Sequence, residues 1–146
     1  MLRGDALIRD GLRAPPGGVD EPDVLAHVRT IFARLQAEGF CGGHWMIVAE
    51  GEIVGLCGIK HSPSSSGEVE IGYGIAASRR RRGHATRGIA LLVERAREIP
   101  AIRCIIAETD ISNVASQAVL RNNGLERSGT RFDPTDGEVV TWRKPL

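Results

Sequence analysis

The apolar residues between positions 24 and 35 repeat every three to four residues, as on one face of a helix. Asp20 is suited to cap the start of this helix, and Pro22 is suited to its first turn. Gly39 is expected to end it, because glycine adopts the left-handed conformation common after a helix. The pattern therefore predicts an amphipathic helix close to the beginning of the chain.

The same spacing predicts two further helices. One has its apolar positions between 85 and 96 and is ended by Pro100. The other covers about 112–123 and is closed by Gly124.

Runs rich in β-branched residues, or alternating between apolar and polar, predict six strands. They cover about 45–49, 53–59, 68–75, 104–107, 125–132 and 138–143. In the third strand, apolar side chains face one way and the others face the opposite way. The apolar set is Val69, Ile71, Tyr73 and Ile75, and the other set is Glu68, Glu70, Gly72 and Gly74. Two glycines inside a strand fit a bulge or a close approach of another backbone.

The order of these elements predicts the fold class. A helix, three strands, a helix, a strand, a helix and two strands favour an α/β (α+β) domain with a single mixed, mostly antiparallel sheet. Residues 68–107 form a strand–helix–strand unit, which predicts a parallel crossover. We expect one domain over residues 1–146, in which residues 1–20 are weakly patterned and give no clear first strand.

Composition and charge narrow the class of protein. The 146 residues carry a net charge of +1, whereas a general nucleic-acid binder is usually far more basic. No run is apolar enough to span a membrane, and the N-terminus lacks the pattern of a secretory signal. Three scattered cysteines and four histidines show no metal-binding spacing, so we expect no metal, and reduced thiols in a cytoplasmic protein.

The most informative segment is the basic run of residues 79–82, which is followed by Gly83 at the start of the second helix. A helix N-terminus has unpaired N–H groups and a positive dipole, so it favours an anion such as phosphate. Gly83 and Ala85 leave room for close approach, and the arginines add charge-assisted contacts. The alternatives are a solvated basic surface and a nucleic-acid patch.

This segment resembles the coenzyme-A signature of the GNAT family of N-acetyltransferases. That signature is Arg/Gln-x-x-Gly-x-Gly/Ala after a strand, and Arg80, Gly83 and Ala85 match it. A second match lies downstream, where Asn113, Ser116 and Gly124 follow the family's Asn-x-x-Ser…Gly-Phe pattern. The resemblance covers about residues 45–146. Its motifs are most similar to the branch that contains the ribosomal-protein N-terminal acetyltransferases.

The resemblance implies a sheet that splays after the third strand to admit the pantetheine arm of acetyl-CoA, the expected cosubstrate. It places backbone contacts and an oxyanion-binding N–H at Ile75. The implied cofactor-binding residues are Ile75, Ala77, Arg80, Arg81, Arg82, Gly83, His84, Ala85, Thr86, Asn113 and Ser116. Asn113 and Ser116 have an alternative role in capping the third helix.

The resemblance also implies that a carboxylate accepts a proton from the attacking amine. Glu70 matches the position where relatives carry a catalytic or substrate-facing glutamate, and Glu68 on the same face is a second candidate. Either could instead be an ordinary strand carboxylate. Leu120 stands where other branches carry a tyrosine that protonates the departing thiolate, so that acid is expected to be absent.

Three functions remain open on the sequence. The first is an N-acetyltransferase that transfers the acetyl group of acetyl-CoA to a primary amine of a protein N-terminus, a polyamine, an amino acid or an aminoglycoside. The second is a non-catalytic acyl-CoA-binding module, and the third is a small nucleic-acid-binding domain. We expect no membrane or nucleic-acid partner, and a homodimer is left open.

Overall fold

The computed structural model describes residues 11–40 and 43–146, and the predicted order of helices and strands is present. The helices are α1 (Pro22–Ala37), α2 (His84–Arg97) and α3 (Val114–Asn122). The strands are β1 (His44–Ala49), β2 (Glu52–Ile59), β3 (Glu68–Ile75), β4 (Cys104–Asp110), β5 (Glu126–Asp133) and β6 (Gly137–Pro145).

The six strands form one sheet in the order β1-β2-β3-β4-β6-β5. Strands β3 and β4 are parallel, and every other neighbouring pair is antiparallel. The predicted three-strand meander, the parallel crossover through α2 and the mixed, mostly antiparallel sheet are therefore confirmed. Because β3 and β4 run in the same direction, α2 and α3 both begin at the edge of the sheet where these two strands end.

The main core lies between the sheet and helices α2 and α3. Val69 and Ile71 of β3 are buried against it, as are Ile89 and Leu92 of α2 and Leu120 of α3. These are the apolar positions of the sequence pattern, and burying their apolar area is the main favourable contribution to folding. The opposite face of β3, which carries Glu70 and the two glycines, is left for polar contacts.

The first helix differs from its prediction. Its N-cap is Glu21 rather than Asp20, and the Asp20 carboxylate instead accepts a hydrogen bond from the Glu21 N–H. Pro22 does occupy the first turn. Only Ile31 and Leu35 are buried on the expected apolar face, whereas Val24 is 42% exposed. Burial on this face therefore increases toward the C-terminal half of the helix.

The sequence pattern also did not predict the structure at the start of the chain or the position where β4 ends. Residues 1–10 lie outside the described part, and residues 11–20 contain an isolated parallel bridge from Arg13 to Glu52 rather than a strand. Strand β4 continues to Asp110, three residues past its predicted end, because it stays paired with β6 as far as Val139. Among residues 11–40 and 43–146, no helix is long and apolar enough to cross a membrane.

Candidate active site

The parallel strands β3 and β4 separate part of the way along their length. They pair only at Glu68, Val69 and Glu70 of β3. Beyond that point β3 continues along β2 to Ile75, while β4 continues along β6 to Asp110. Each strand follows its outer neighbour, so a wedge-shaped gap opens between them. This is the splay that the resemblance implies.

The backbone of β3 presents hydrogen-bonding groups to this gap. Glu70 accepts from the Lys60 N–H directly after β2, and Ala76, directly after β3, donates to Val54 of β2, so the even-numbered residues face β2. Backbone groups of successive strand residues point to opposite sides. The N–H and C=O of Tyr73 and Ile75 therefore point toward the gap, where an extended ligand could continue the sheet.

The loop after β3 leads directly into α2. A short 3-10 helix, Ala77–Arg79, is followed by left-handed backbone at Arg81 (φ 63°) and Gly83 (φ 75°). Gly83 is the N-cap of α2 and provides no side-chain hydrogen bond to the first turn. The first N–H groups of α2 are thus left for an external acceptor, and the helix dipole favours an anion there.

The arginines of this loop have different partners. Arg79 donates to both carboxylate oxygens of Glu52, with one distance of 3.0 Å, and this bond holds its side chain against the β1–β2 hairpin. Arg80 is exposed and donates from Nε to the Ile75 carbonyl at 3.2 Å. Arg81 and Arg82 are exposed beside the helix N-terminus. Arg80, Arg81 and Arg82 are therefore placed for an anion, and Arg79 is not.

His84 opens α2 and adds little positive charge to this region. Burial, followed by the nearby charges of Arg87 and Arg82, holds the pKa of His84 below its usual value. The Arg87 guanidinium lies 3.1 Å from Nδ1 of His84. The imidazole is therefore neutral at physiological pH, and the arginines carry the charge of the loop.

The other side of the gap is formed by the start of α3. Asn113 is its N-cap and accepts the Ser116 N–H at 3.0 Å, so its capping role is observed. The hydroxyl of Tyr73 reaches from β3 to Ser116, at 2.7 Å from Oγ and 3.1 Å from the carbonyl oxygen. Leu120 is fully buried one turn further along the helix.

Glu70 lies on the open face of β3, where the two strands begin to separate. Its side chain is 21% exposed and forms an ion pair with Lys60. The Lys60 side chain passes over Gly72, and the Asp20 carboxylate lies against Gly74. Glu68 instead bonds to Arg143 at 3.0 Å, at the end where β3 and β4 remain paired. Of the two candidate carboxylates, only Glu70 borders the gap.

A second charged group lies on the same face of the sheet. Glu108 follows Glu70's pairing partner Ile106 by two residues on β4, and it accepts two hydrogen bonds from Arg131 at 2.6 and 2.7 Å. These bonds lower the pKa of Glu108. The open face thus presents charged side chains from both sides of the gap, as expected of a surface that receives a polar acceptor.

Two features of this site could not be read from the sequence. The predicted second strand ends at residue 59, so the sequence leaves Lys60 outside the strands, and it places Tyr73 only on the apolar face of its strand. Each partner lies far away along the chain, ten residues for Lys60 and 43 for Tyr73. The signal that could have singled out Tyr73 is that it is the only tyrosine of the chain.

Two of the cysteines lie in the interior of the domain. Cys57 and Cys104 are buried free thiols, and burial raises the pKa of Cys57 to about 11. Among residues 11–40 and 43–146, no group of histidine, cysteine and acidic side chains could hold a metal ion. The thiols therefore pack as small apolar residues.

The splayed sheet and the basic loop at a helix N-terminus define a class of α/β domain that holds an extended, phosphate-bearing ligand between two strands. The family model described as "Acetyltransferase (GNAT) domain" matches residues 12–126. The chain belongs to this family, and the resemblance seen in its motifs is confirmed. No curated protein matches the sequence at a significant level.

Solved structures share the fold over most of the chain. RimJ of Mycobacterium smegmatis, in complex with a CoA disulfide, is 25% identical with a TM-score of 0.68, covering 81% of this chain and 60% of its own. A Salmonella typhimurium acetyltransferase that modifies the N-terminal serine of ribosomal protein L7/L12 is 18% identical with a TM-score of 0.71, covering 88% and 77%.

The aminoglycoside acetyltransferase AAC(6')-Ib, in complex with coenzyme A, is 22% identical with a TM-score of 0.62 over 70% of this chain. The present chain covers only 65% of the length of that enzyme. At these identities the likeness to the Salmonella and aminoglycoside enzymes shows the fold, while their acceptors belong to those proteins.

Proposed function

We propose that this chain is an acetyl-CoA-dependent N-acetyltransferase, in which a primary amine attacks the thioester of acetyl-CoA directly. The observation that carries the proposal is the gap that opens between β3 and β4 after Glu70, beside the uncapped N-terminus of α2. A slot with free backbone groups next to an anion site fits a ligand that combines an amide-bearing arm with a pyrophosphate.

Different residues around the gap are proposed to bind different parts of acetyl-CoA. Backbone groups of Ile75 and Ala77 are proposed to bind the pantetheine arm, and the Ile75 N–H, which points to the gap, is proposed to bind the thioester oxygen. The pyrophosphate is assigned to the α2 N-terminus and its loop, comprising Arg80, Arg81, Arg82, Gly83, His84, Ala85 and Thr86. Asn113 and Ser116 border the opposite side of the gap.

The conformation of Gly83 supports the assignment of a pyrophosphate to this loop. A side chain there would sit in left-handed backbone, and its Cβ would lie 3.0 Å from the Arg87 guanidinium. Glycine therefore relieves the strain of left-handed backbone here and keeps side-chain atoms away from the first turn of α2. Acetyl-CoA supplies the activated acetyl group, and the loop supplies the charge that holds its phosphates.

Glu70 is proposed to take the proton that the attacking amine must lose. An ammonium has no lone pair, so a base near the thioester increases the reactive fraction. Glu70 is half-buried at the mouth of the gap, on the face left open by Gly72 and Gly74. The ion pair with Lys60 supports this role, because it places a primary ammonium group at the carboxylate.

The acceptor is proposed to be a protein N-terminus or a small-molecule amine. The Salmonella L7/L12 acetyltransferase supports the first class, and the aminoglycoside enzyme supports the second. The charged pairs Lys60–Glu70 and Arg131–Glu108 border the same face of the gap and favour a polar acceptor of either class.

A non-catalytic acyl-CoA-binding module is the alternative. It is suggested by Leu120, a buried apolar residue at the position where other branches carry the tyrosine that protonates the thiolate. Turnover separates the two. We expect acetyl-CoA to raise the melting temperature and free CoA to be released with at least one acceptor among N-terminal peptides, spermidine, amino acids and kanamycin. Binding without release of CoA with any acceptor would establish the alternative instead, and absence of binding would overturn both.

The cellular setting is also a proposal. We infer a cytoplasmic enzyme made of one domain over residues 1–146, since the buried thiols of Cys57 and Cys104 suit a reducing compartment. A homodimer is tested by the molar mass in solution, measured by light scattering with and without acetyl-CoA.

A further inference from the structure

The single tyrosine of the chain joins the two sides of the gap. Tyr73 lies on β3 beyond Glu70, where the strands have separated, and Ser116 lies in the first turn of α3, which follows β4. Their hydroxyl oxygens are 2.7 Å apart, and the Tyr73 oxygen is also 3.1 Å from the Ser116 carbonyl. The phenol therefore spans the gap on the side that faces the helices.

This hydroxyl pair borders the place where a thioester would be cleaved. The backbone of Tyr73 and Ile75 points to the gap, and the Tyr73 side chain extends from the same strand toward α3. Glu70 lies on the opposite face of β3. A ligand in the gap would thus have a carboxylate on one side and a phenol on the other. This arrangement suits a reaction in which one group accepts a proton and a different group donates one.

We propose that Tyr73 is the proton donor to the departing thiolate and that Ser116 holds its hydroxyl in place. The inference rests on the proposed acetyl transfer. The amine nitrogen bonds to the acetyl carbon, and its proton goes to Glu70. The C–S bond breaks, its electron pair stays on sulfur, and the Tyr73 proton passes to that sulfur. Solvent then takes the proton from Glu70 and returns one to the Tyr73 phenolate, so that base and acid are both restored.

The surrounding residues explain why this role falls to Tyr73. Leu120 is one helical turn from Ser116 on the same face of α3 and has no proton to give. The Asn113 side chain is occupied as the N-cap. Burial raises the pKa of Tyr73, so the phenol stays protonated at physiological pH. The phenol that is absent from α3 is supplied from β3 instead.

The first test measures the thiol of bound CoA and needs no acceptor. A hydroxyl that donates to sulfur stabilises the thiolate, so the thiol of CoA bound to the wild type should have a pKa below that of free CoA measured in the same way. Tyr73→Phe should raise that pKa by about one unit, as followed by thiolate absorbance in the enzyme–CoA complex. Ser128→Ala, which removes an exposed hydroxyl bonded to Thr141, is the matched control and should not change it.

The second test separates proton donation from a structural role. Tyr73→Phe should lower kcat with the best acceptor by roughly 10²-fold while the KM for acetyl-CoA stays close to the wild-type value. With acetyl-selenocoenzyme A, whose selenolate leaves without help from an acid, most of the loss should disappear. Ser116→Ala should give a smaller loss of the same kind, because Tyr73 can still reach the Ser116 carbonyl.

The outcomes distinguish a failure of the role proposed for Tyr73 from a failure of the proposed acetyl transfer. An active wild type, together with a Tyr73→Phe variant that keeps its kcat or leaves the pKa of bound CoA unchanged, overturns the role of Tyr73 and leaves acetyl transfer intact. An equal loss with thioester and selenoester shows that Tyr73 only shapes the slot. A wild type that binds no CoA overturns both proposals.

Discussion

The ammonium group of Lys60 is hydrogen-bonded to Oε1 of Glu70 across the open face of β3. Lys60 follows the last residue of β2, and Glu70 is its register partner on β3. The pair lies where β3 and β4 stop pairing, so the carboxylate is held at the mouth of the gap. The Lys60–Glu70 pair therefore places the proposed base next to the point where the proposed acetyl-CoA slot begins.

Replacement of Glu70 by glutamine tests this carboxylate. Glu70→Gln keeps shape and hydrogen bonding but removes basicity, so the acetylation rate should fall by roughly 10²–10⁴-fold. The loss should shrink at high pH, where free amine is already abundant. Acetyl-CoA affinity should stay near wild type, because Glu70 faces the acceptor side rather than the loop. The measurement is the pH–rate profile of both proteins with the best acceptor.

Glu68→Gln is the matched control for that experiment. Glu68 is two residues away on the same face, but it bonds to Arg143 where the strands are still paired. Its variant should keep the wild-type profile. A Glu70→Gln profile that overlays that of the wild type would reduce Glu70 to a strand carboxylate and leave catalysis to positioning and the Ile75 N–H.

Glycine at the start of α2 is expected to be essential for acetyl-CoA. Gly83→Glu places bulk and negative charge beside the proposed pyrophosphate site and should abolish the rise in melting temperature caused by acetyl-CoA. Gly137→Glu is the control, since Gly137 has a nearly identical φ of 76° and open space around it. Both variants place the same charged side chain on left-handed backbone, so a thermal shift that survives in Gly83→Glu would contradict the assignment of the loop.

The arginines of the loop are expected to act unequally. Arg80→Ala and Arg82→Ala should each weaken acetyl-CoA binding by roughly 10-fold, because each removes a charge-assisted contact. Arg79→Ala should leave affinity near wild type and instead lower thermal stability, because it leaves Glu52 without its partner. Isothermal titration calorimetry and thermal melts separate the two effects.

The same variants address nucleic-acid binding. Any affinity for duplex DNA should be weak and should fall steeply with salt, as expected of non-specific phosphate contacts. Tight, sequence-selective binding at moderate salt would promote the nucleic-acid alternative over acetyl transfer.

The buried thiol of Cys57 predicts a loss of stability at alkaline pH. Its pKa rises from 9.0 to about 11 on burial, so the folded state holds this proton more tightly than the unfolded state. The corresponding stability is complete below pH 9 and is lost as the pH rises toward 11, by about 3 kcal/mol for this group. Urea unfolding of wild type and Cys57→Ala across this range should show the difference converging. A constant difference would place the thiol in contact with solvent.

Much of the local structure followed from the sequence. The bounds of β3 were predicted at both ends, because strict alternation is a local property of the chain. The Arg80, Gly83 and Ala85 motif was likewise placed correctly at the start of a helix. Asp20 was wrong as the N-cap because the helix begins one residue later, and Glu21 takes the extended N-cap backbone without a side-chain capping bond.

The tertiary structure decided the contacts between distant parts of the chain. Arg79 turns away from the loop because Glu52 lies beside it, Lys60 reaches Glu70 through strand pairing, and Tyr73 reaches a helix 43 residues later. Periodicity records which face of an element is apolar, but it does not record which side chain of another element that face will meet. The sequence by itself therefore determined the elements, the family motifs and the position of the basic turn that is proposed to bind an anion. The assignment of a base to one face of the gap and a phenol to the other depended on how β3 and β4 separate, because that separation sets which polar groups border the slot.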